Sequence, residues 1–308
     1  MVEPETAGDP MSGQKWVRSS LRQLSCRLTA AGHPVSHQTA GRLLKDLDYA
    51  LHVNAKKIEA SAAHPDRDDQ FAYIATQRQG FAAAGLPIIS VDTKKKEFVG
   101  NLHREGRLYT RQTIQTLDHD FPTSAEGVVY PHGIYETKRN VGHINLGTSH
   151  ETSRFACDSL ARWWEKHGRA AYPRATSILL LCDGGGSNSS RRFIFKYHLE
   201  RLADRLQVEI RVAHYPPGCS KYDPIEHRFF PHVTRACQGV IFTTIGLIQR
   251  KMAEARTEKG LRTTVEILQG EYPTGEKVPA GYKASMRILF DEDLPAWNYR
   301  AVPAKPGS

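Results

Sequence analysis

Three acids stand out by where they fall. Asp92 closes the apolar run Pro87-Ile88-Ile89-Ser90-Val91, Asp183 closes Ser177-Ile178-Leu179-Leu180-Leu181-Cys182, and Glu226 lies in Asp223-Pro224-Ile225-Glu226-His227. Carboxylate oxygens of this kind are the ligands that hard divalent cations prefer. Two such ions about 3.5–4 Å apart can activate an oxygen nucleophile, align it in line and neutralise charge on a leaving oxygen. That is the chemistry of cutting or joining a phosphodiester. Asp223, about one helical turn before Glu226, and His227 beside it are candidate accessory groups. Singly, each acid reads equally well as a turn former or a solvated helix residue. Their meaning depends on whether the fold brings them together.

The elements that must do this are legible from hydrophobic period. Residues 87–92 are short and β-branched, and a polar, glycine-bearing excursion follows. Residues 127–137 and 141–147 read as strands joined by Lys138-Arg139-Asn140. Residues 151–167 read as a helix with Ala156, Leu160, Trp163 and His167 on one stripe, and Trp163-Trp164 reads as core packing. The run 177–182 is apolar throughout, as in a strand buried on both faces. A helix over 191–206, a strand over 208–214 and a helix over 223–236 complete the series. Three sequential strands followed by alternating helices and strands is the order of an α/β, ribonuclease-H-like mixed sheet flanked by helices. In that topology the first and fourth strands lie side by side. Asp92 and Asp183 then meet at the strand ends, where open α/β sheets place their sites.

Upstream the character differs. Residues 1–14 read as a disordered lead, rich in Pro, Gly, Glu and Ser. Over 15–57, Leu21, Leu24 and Leu28 recur at helical spacing, Gly32-His33-Pro34 interrupts, and Ser36 stands where an N-cap belongs. Leu43, Leu44 and Leu47 are expected on the inner face of the second helix. Two short helices joined by a glycine-containing turn predict a small helical helix-turn-helix DNA-binding domain. Its base-reading candidates are His37, Gln38, Thr39 and Arg42, with Lys45, Lys56 and Lys57 for phosphates. Residues 58–86 are expected as a connecting helix carrying Phe71, Ile74 and Phe81, and 87–308 as the catalytic domain.

Bulk properties agree. The 308 residues carry a formal net charge of +9, with 40% apolar and 24% charged residues, so a packed core and a polyanionic partner are expected. Lys94-Lys95-Lys96, directly after Asp92, reads as a phosphate contact beside a metal site. Five dispersed cysteines without a CxxC pair point to a reducing compartment. No signal peptide or membrane-length apolar run is present, so a cytoplasmic, nucleoid-associated protein is expected. Gly184-Gly185-Gly186 lacks the spacing of a nucleotide-binding loop and instead lets backbone or DNA approach the acids. His227, His232 and Cys237 do not make a zinc site, since steps of five rotate about 140° around a helix.

Several segments together resemble a known family: IISVDTKKKE (88–97), HDFPTSAEG (119–127), YPHGIYETKRN (130–140), CDGGGSNSSR (182–191) and HYPPGCSKYDPIEHRFF (214–230). They are similar to the DDE transposases of bacterial insertion sequences, closest to the Rhodopirellula-type group. Pro216-Pro217 with Asp223-Pro224-Ile225-Glu226-His227 also resembles a signature of mariner-like transposases. The resemblance runs from about Glu3 to Pro303. It departs from the common pattern at Asn188-Ser189 and at Cys219-Ser220-Lys221-Tyr222-Asp223. It implies Asp92, Asp183 and Glu226 as catalytic and metal-binding acids, two Mg²⁺ or Mn²⁺ ions, and DNA as partner, both as terminal inverted repeats and as target. The implied reaction is hydrolysis at transposon ends followed by 3′-hydroxyl strand transfer. A homodimer or larger assembly is expected for holding two ends. Members usually carry more helical DNA-binding sequence upstream, so the opening MVEPETAGDPMS reads as a shortened start. Two rivals are a structure-selective nuclease of the same fold and a transposase remnant that only binds DNA.

Overall fold

The computed structural model describes residues 7–8, 15–16, 19–51, 64–119 and 121–304. The chain divides into two compact units, Met1–Ala60 and Ser61–Ser308. Most of the lead over 1–14, as well as Lys56 and Lys57, lies outside the described residues. Ala7–Gly8 pairs antiparallel with Lys15–Trp16.

In the first unit, helices α1 (Leu21–Ala30) and α2 (His37–Asp46) flank the 31–36 turn. Both starts are capped as their sequences require. Ser20 and Gln23 form a reciprocal capping box, and the Ser36 hydroxyl accepts from the Thr39 amide at 3.1 Å. The helices meet at small residues: a Cβ on Gly41 would lie 3.2 Å from Leu21. Leu24 and Ala40 are buried there. The expected inner face is therefore corrected, because Leu43 and Leu47 are 40% and 58% exposed. Close approach at Ala40 and Gly41 turns Leu43 outward, and Leu47 is already the C-cap, beyond the last helical turn.

The second unit begins with α3 (Arg67–Ala83). It continues through β1 (Ile88–Thr93), β2 (Glu97–Val99), β3 (Gly127–Glu136), β4 (Val141–Gly147), α4 (Ser153–Trp163), β5 (Ser177–Cys182), α5 (Phe193–Leu206) and β6 (Glu209–His214). Then come α6 (Pro224–Arg228), α7 (Phe230–Cys237), α8 (Ile245–Ala253), β7 (Arg262–Leu268), α9 (Tyr282–Ser285), β8 (Leu289–Phe290) and β9 (Asn298–Ala301). The sheet runs β8-β9-β6-β5-β1-β3-β4-β7, with β2 paired to β3. Strand β1 is antiparallel to β3 and parallel to β5, and β5 is parallel to β6. The five central strands β4-β3-β1-β5-β6 thus have ribonuclease-H order, with the first and fourth core strands adjacent. Strand β7, parallel to β4, and β9, antiparallel to β6, extend both edges.

Both faces are covered, which is why 177–182 is apolar throughout. On one face Ile89, Val91, Ile178 and Leu180 pack with Trp163, Phe195 and Leu199 of α4 and α5. On the other, α3 lays Ile74 and Phe81 on Ile88, Leu179 and Leu181, while α6, α7 and α8 cover Tyr135 and Ile144. Helix α3, expected as a connector, is thus part of the second unit's core. The single helix expected over 223–236 is two. Pro231, at the second position of α7, has no N–H to continue the preceding helix, and the chain breaks at Phe229. The break drops Phe229 and Phe230 onto the sheet at two glycines. A Cβ on Gly142 would lie 2.1 Å from Phe229, and one on Gly133 would lie 2.6 Å from Phe230.

Beneath α4 a fully buried carboxylate, Glu136, collects donors: His143 Nε2 at 2.8 Å, Arg139 at 2.9 Å, Tyr172 Oη at 3.1 Å and Trp163 Nε1 at 3.3 Å. Burial alone would raise its pKa, but the hydrogen bonds from His143 and Arg139 outweigh it and hold Glu136 at about 2. Burial keeps His132 and His214 neutral, lowering both to about 4. All three groups bind fewer protons folded than unfolded, so their stabilisation is lost on acidification. Melting temperature should fall between pH 6.5 and 4 as the unfolded histidines protonate, and again between pH 4.5 and 2 as Glu136 does. Calorimetry across that range checks it. Glu136→Gln should cost about 3 kcal/mol at neutral pH and remove the lower step.

Candidate active site

The ends of β1 and β5 point to one place. Asp92 and Ser90 share a strand face, and their register partners on β3 are Gly133 and Tyr135. Asp183 follows β5, which pairs Leu181 with Ser90. Because Gly133 has no side chain, Ile225 and Phe230 occupy its space, and a Cβ there would lie 2.9 Å from Ile225. That close approach seats α6 beside Asp92 and brings Glu226 to it.

Asp92 and Glu226 lie close together, with Asp183 near enough to add its charge. Burial, then neighbouring Glu226 and the field of Asp183, push Asp92 up to about 9, against a smaller opposing effect of the Thr93 amide at 2.7 Å. Asp92 is half-buried and Glu226 is exposed. Asp183 accepts from the Gly185 amide at 3.1 Å, within the glycine run.

Asp223 is 1% exposed and serves as the N-cap of α6. Its Oδ1 accepts from the Ser90 hydroxyl and from the Ile225 amide at 3.4 Å, while Oδ2 is buried without a partner. The Ser90 oxygen also accepts from the Ile225 amide at 3.0 Å. Burial pushes Asp223 up to about 8 despite these bonds. It therefore anchors the helix that carries Glu226 from below, and His227 is exposed on that helix.

Asp183 is held from behind by groups that sequence reasoning passed over. His214 Nδ1 lies 2.9 Å from the Asp183 carbonyl oxygen, and its Nε2 lies 2.8 Å from the hydroxyl of Tyr299 on β9. The His214 carbonyl accepts from Gln70 of α3, which forms a reciprocal amide pair with Asn298 at 2.7–2.8 Å. Some of this left a signal: a glycine inside a strand, Gly133, marks close backbone approach, and Ser90 is a lone hydroxyl in an apolar run. The roles of Gln70 and Tyr299 left none.

The lysine run divides. Lys94 is only 12% exposed and pairs with buried Glu97 at 2.6 Å, and Glu97 also binds Arg104 at 2.7 Å. Lys94, expected at a phosphate, pairs its charge with a buried carboxylate. Lys95 and Lys96 are exposed, and Lys96 lies 5.3 Å from the Phe98 ring centre. In the first unit His37, Gln38, Arg42 and Lys45 are exposed, while the Thr39 hydroxyl lies 3.0 Å from Ser36 Oγ within the cap.

Among the described residues, no three of His, Cys, Asp and Glu form a ready-made metal-ligating group. The carboxylates of Asp92, Asp183 and Glu226 lie near enough to feel one another's charge. Their chemistry nevertheless fits hard divalent cations. The donors are oxygen, and none of Asp92, Asp183, Asp223 and Glu226 has a salt-bridge partner among the described residues.

A ribonuclease-H-ordered sheet with acids at the ends of its adjacent central strands, and a third on a following helix, defines the DDE class of nucleic-acid-processing proteins. This chain belongs to the family described as the Rhodopirellula transposase DDE domain, whose model matches residues 1–303. Divalent-metal use comes with that family. No curated protein matches the chain. Among solved structures it is similar to "Mos1 transposase paired-end complex with left transposon end", at 12% identity and TM-score 0.45, covering 76% of this chain and 65% of that one. It is likewise similar to "Crystal structure of the Mos1 mariner paired end complex with Mn", at 13% identity, TM-score 0.45 and the same coverage. For "Crystal structure of the Mos1 Strand Transfer Complex" the figures are 13%, 0.45, 82% and 76%. The chain spans about 65% of the length of the first two. Among the described residues, no helix is long and apolar enough to cross a membrane.

Carboxylates crowded without a cation cost stability that charge removal or a cation restores. Asp92→Asn should raise the metal-free melting temperature by about 3 °C. Millimolar Mg²⁺ should raise the wild-type melting temperature more than that of the variant. Thermal melts with and without Mg²⁺ check both, and a variant that melts lower than wild type without metal would contradict the crowding.

Proposed function

We propose that the chain is a DNA transposase that hydrolyses phosphodiesters at the ends of its own element and joins the exposed 3′-hydroxyl to target DNA. The observation that carries this is the gathering of Asp92, Asp183 and Glu226 within reach of one another's charge, in a chain whose family is a transposase DDE domain. In this reading Asp92, Asp183 and Glu226 hold two Mg²⁺ or Mn²⁺ ions. Such ions supply an activated oxygen and neutralise charge on the leaving group. Asp92 would release its proton to solvent on holding a cation, and Ser90 and Asp223 keep α6 seated so that Glu226 stays in reach. The glycine run after Asp183 admits the DNA backbone, and exposed Lys95 and Lys96 receive phosphates. Glu226→Gln keeps the shape of the side chain and removes its charge. It should lower Mg²⁺-dependent cleavage at least about a thousandfold while leaving end binding within about twofold. A gel shift beside a cleavage assay measures both, and full cleavage by this variant would remove Glu226 from the metal site.

The helix-turn-helix reading of 15–57 belongs to the same proposal. Helix α2 would enter the major groove with His37, Gln38 and Arg42 toward base edges and Lys45 toward a phosphate. Terminal inverted repeats and target DNA are the partners, and holding two ends calls for a homodimer or larger. Arg42→Ala should reduce discrimination between specific and random DNA by about 5- to 150-fold. Lys45→Ala should weaken both alike and lower the salt slope by about one. Equal effects of the two changes on both DNAs would contradict the assignment.

A further inference from the structure

A cavity of about 580 Å³ opens within the second unit, and its wall residue Ser190 lies 3.6 Å from where a Cβ on Gly184, next to Asp183, would stand. Its walls come from the two loops that carry the acids. Ser190 and Arg191 lie on the segment that follows Asp183, and Pro217 on the one that leads to Asp223 and Glu226. The far wall is aromatic: Trp297, Phe290 and Phe193 line it, with Phe193 and Phe290 36% and 46% exposed. In a folded chain, exposed aromatic rings gathered in one concave site call for a flat partner.

Cations accompany the rings. Lys196 is 5% exposed, yet its ammonium makes one hydrogen bond among the described residues, to the Ser190 carbonyl. It lies 4.6 Å from the Tyr299 ring centre and 5.9 Å from that of Phe290. Burial pulls it down to about 8. Arg191, at the rim, is exposed and has no ion pair among the described residues. The acid on the wall, Asp66, lies 3.7 Å from His64. Flat rings beside unspent positive charge match a base carrying a phosphate, since stacking takes any base and the cations take its backbone.

We propose that this cavity receives one unpaired nucleotide of the DNA, its base against Trp297 and Phe290 and its phosphate toward Arg191 and Lys196. The proposal rests on the reading of DNA as substrate and adds to it. Taking one nucleotide out of the stack beside the acids would expose the adjoining phosphodiester to them. It would also favour DNA that is already locally unpaired, where the cost of unstacking is smallest.

The test compares two duplexes of one sequence, one fully paired and one with a single unpaired nucleotide bearing 2-aminopurine. Both are titrated with the full chain in a gel shift and by fluorescence. Wild type should bind the unpaired form at least about fivefold more tightly and quench its 2-aminopurine. Trp297→Ala should remove the preference and the quenching together, Trp297→Phe should keep the preference, and Arg191→Ala should reduce it. Phe290→Ala, at a more exposed position, makes the same test if Trp297→Ala does not fold, as judged by circular dichroism. Paired DNA bound with no preference for the unpaired form overturns the cavity alone. A preference that survives Trp297→Ala and Phe290→Ala also overturns it. Failure to bind either duplex overturns the DNA reading as well.

Discussion

Burial of neighbouring carboxylates governs the acid site of the second unit. Asp92, Asp183, Asp223 and Glu226 gather where β1 and β5 end, and no lysine or arginine among the described residues pairs with them. Left in water they would separate, so the fold must hold them. It does so by burial, by a proton on Asp92 and by fixing the elements on which the acids ride. Ile225 and Phe230 fill the space beside Gly133, and Asp223 with Ser90 caps α6. The charge left uncompensated is what a divalent cation or a proton can neutralise.

The support reaches well beyond the five-strand core. Strand β9 contributes Tyr299, and α3 contributes Gln70, to the network around His214 and the Asp183 carbonyl. Tyr299 of β9 also lies 4.6 Å beneath Lys196 of α5, which lines the aromatic cavity. Edge additions that look peripheral in the topology therefore fix one of the three acids and shape the space beside it. The buried Glu136 network lies under α4, on the same face of the sheet as Tyr299, and serves packing there.

Charge is used differently at different places. Lys94 and Arg104 are consumed by Glu97, which ties the segment after β1 to the fold. Lys95 and Lys96 remain exposed, as do Arg42 and Lys45 on α2. An excess of +9 is consequently not a count of charges available to DNA. Only the cations without an internal carboxylate can serve it.

The sequence by itself determined what depends on near neighbours. The continuous apolar run 177–182 and the shorter one ending at Asp92 specified buried strands, because a strand covered on both faces has no polar side to show. Ser36 specified a helix start, since a side-chain oxygen there satisfies an otherwise unpaired amide. Element order then sufficed for the ribonuclease-H-like sheet and for the adjacency of Asp92 and Asp183. The tertiary structure alone decided what depends on residues far apart in the chain. Pro231 could be seen in the sequence, but not that the break it causes would press Phe229 and Phe230 onto Gly142 and Gly133. Lys94 looked free until Glu97 and Arg104 closed around one another. Asp223, read from the sequence as a candidate accessory group, takes the Ser90 hydroxyl as its donor and caps α6. Strands β7 and β9 carry no periodicity strong enough to announce them, because each takes its place from pairing with a strand already formed. Burial, and with it each acid's charge state, is a property of the assembled sheet and has no local signature in the chain.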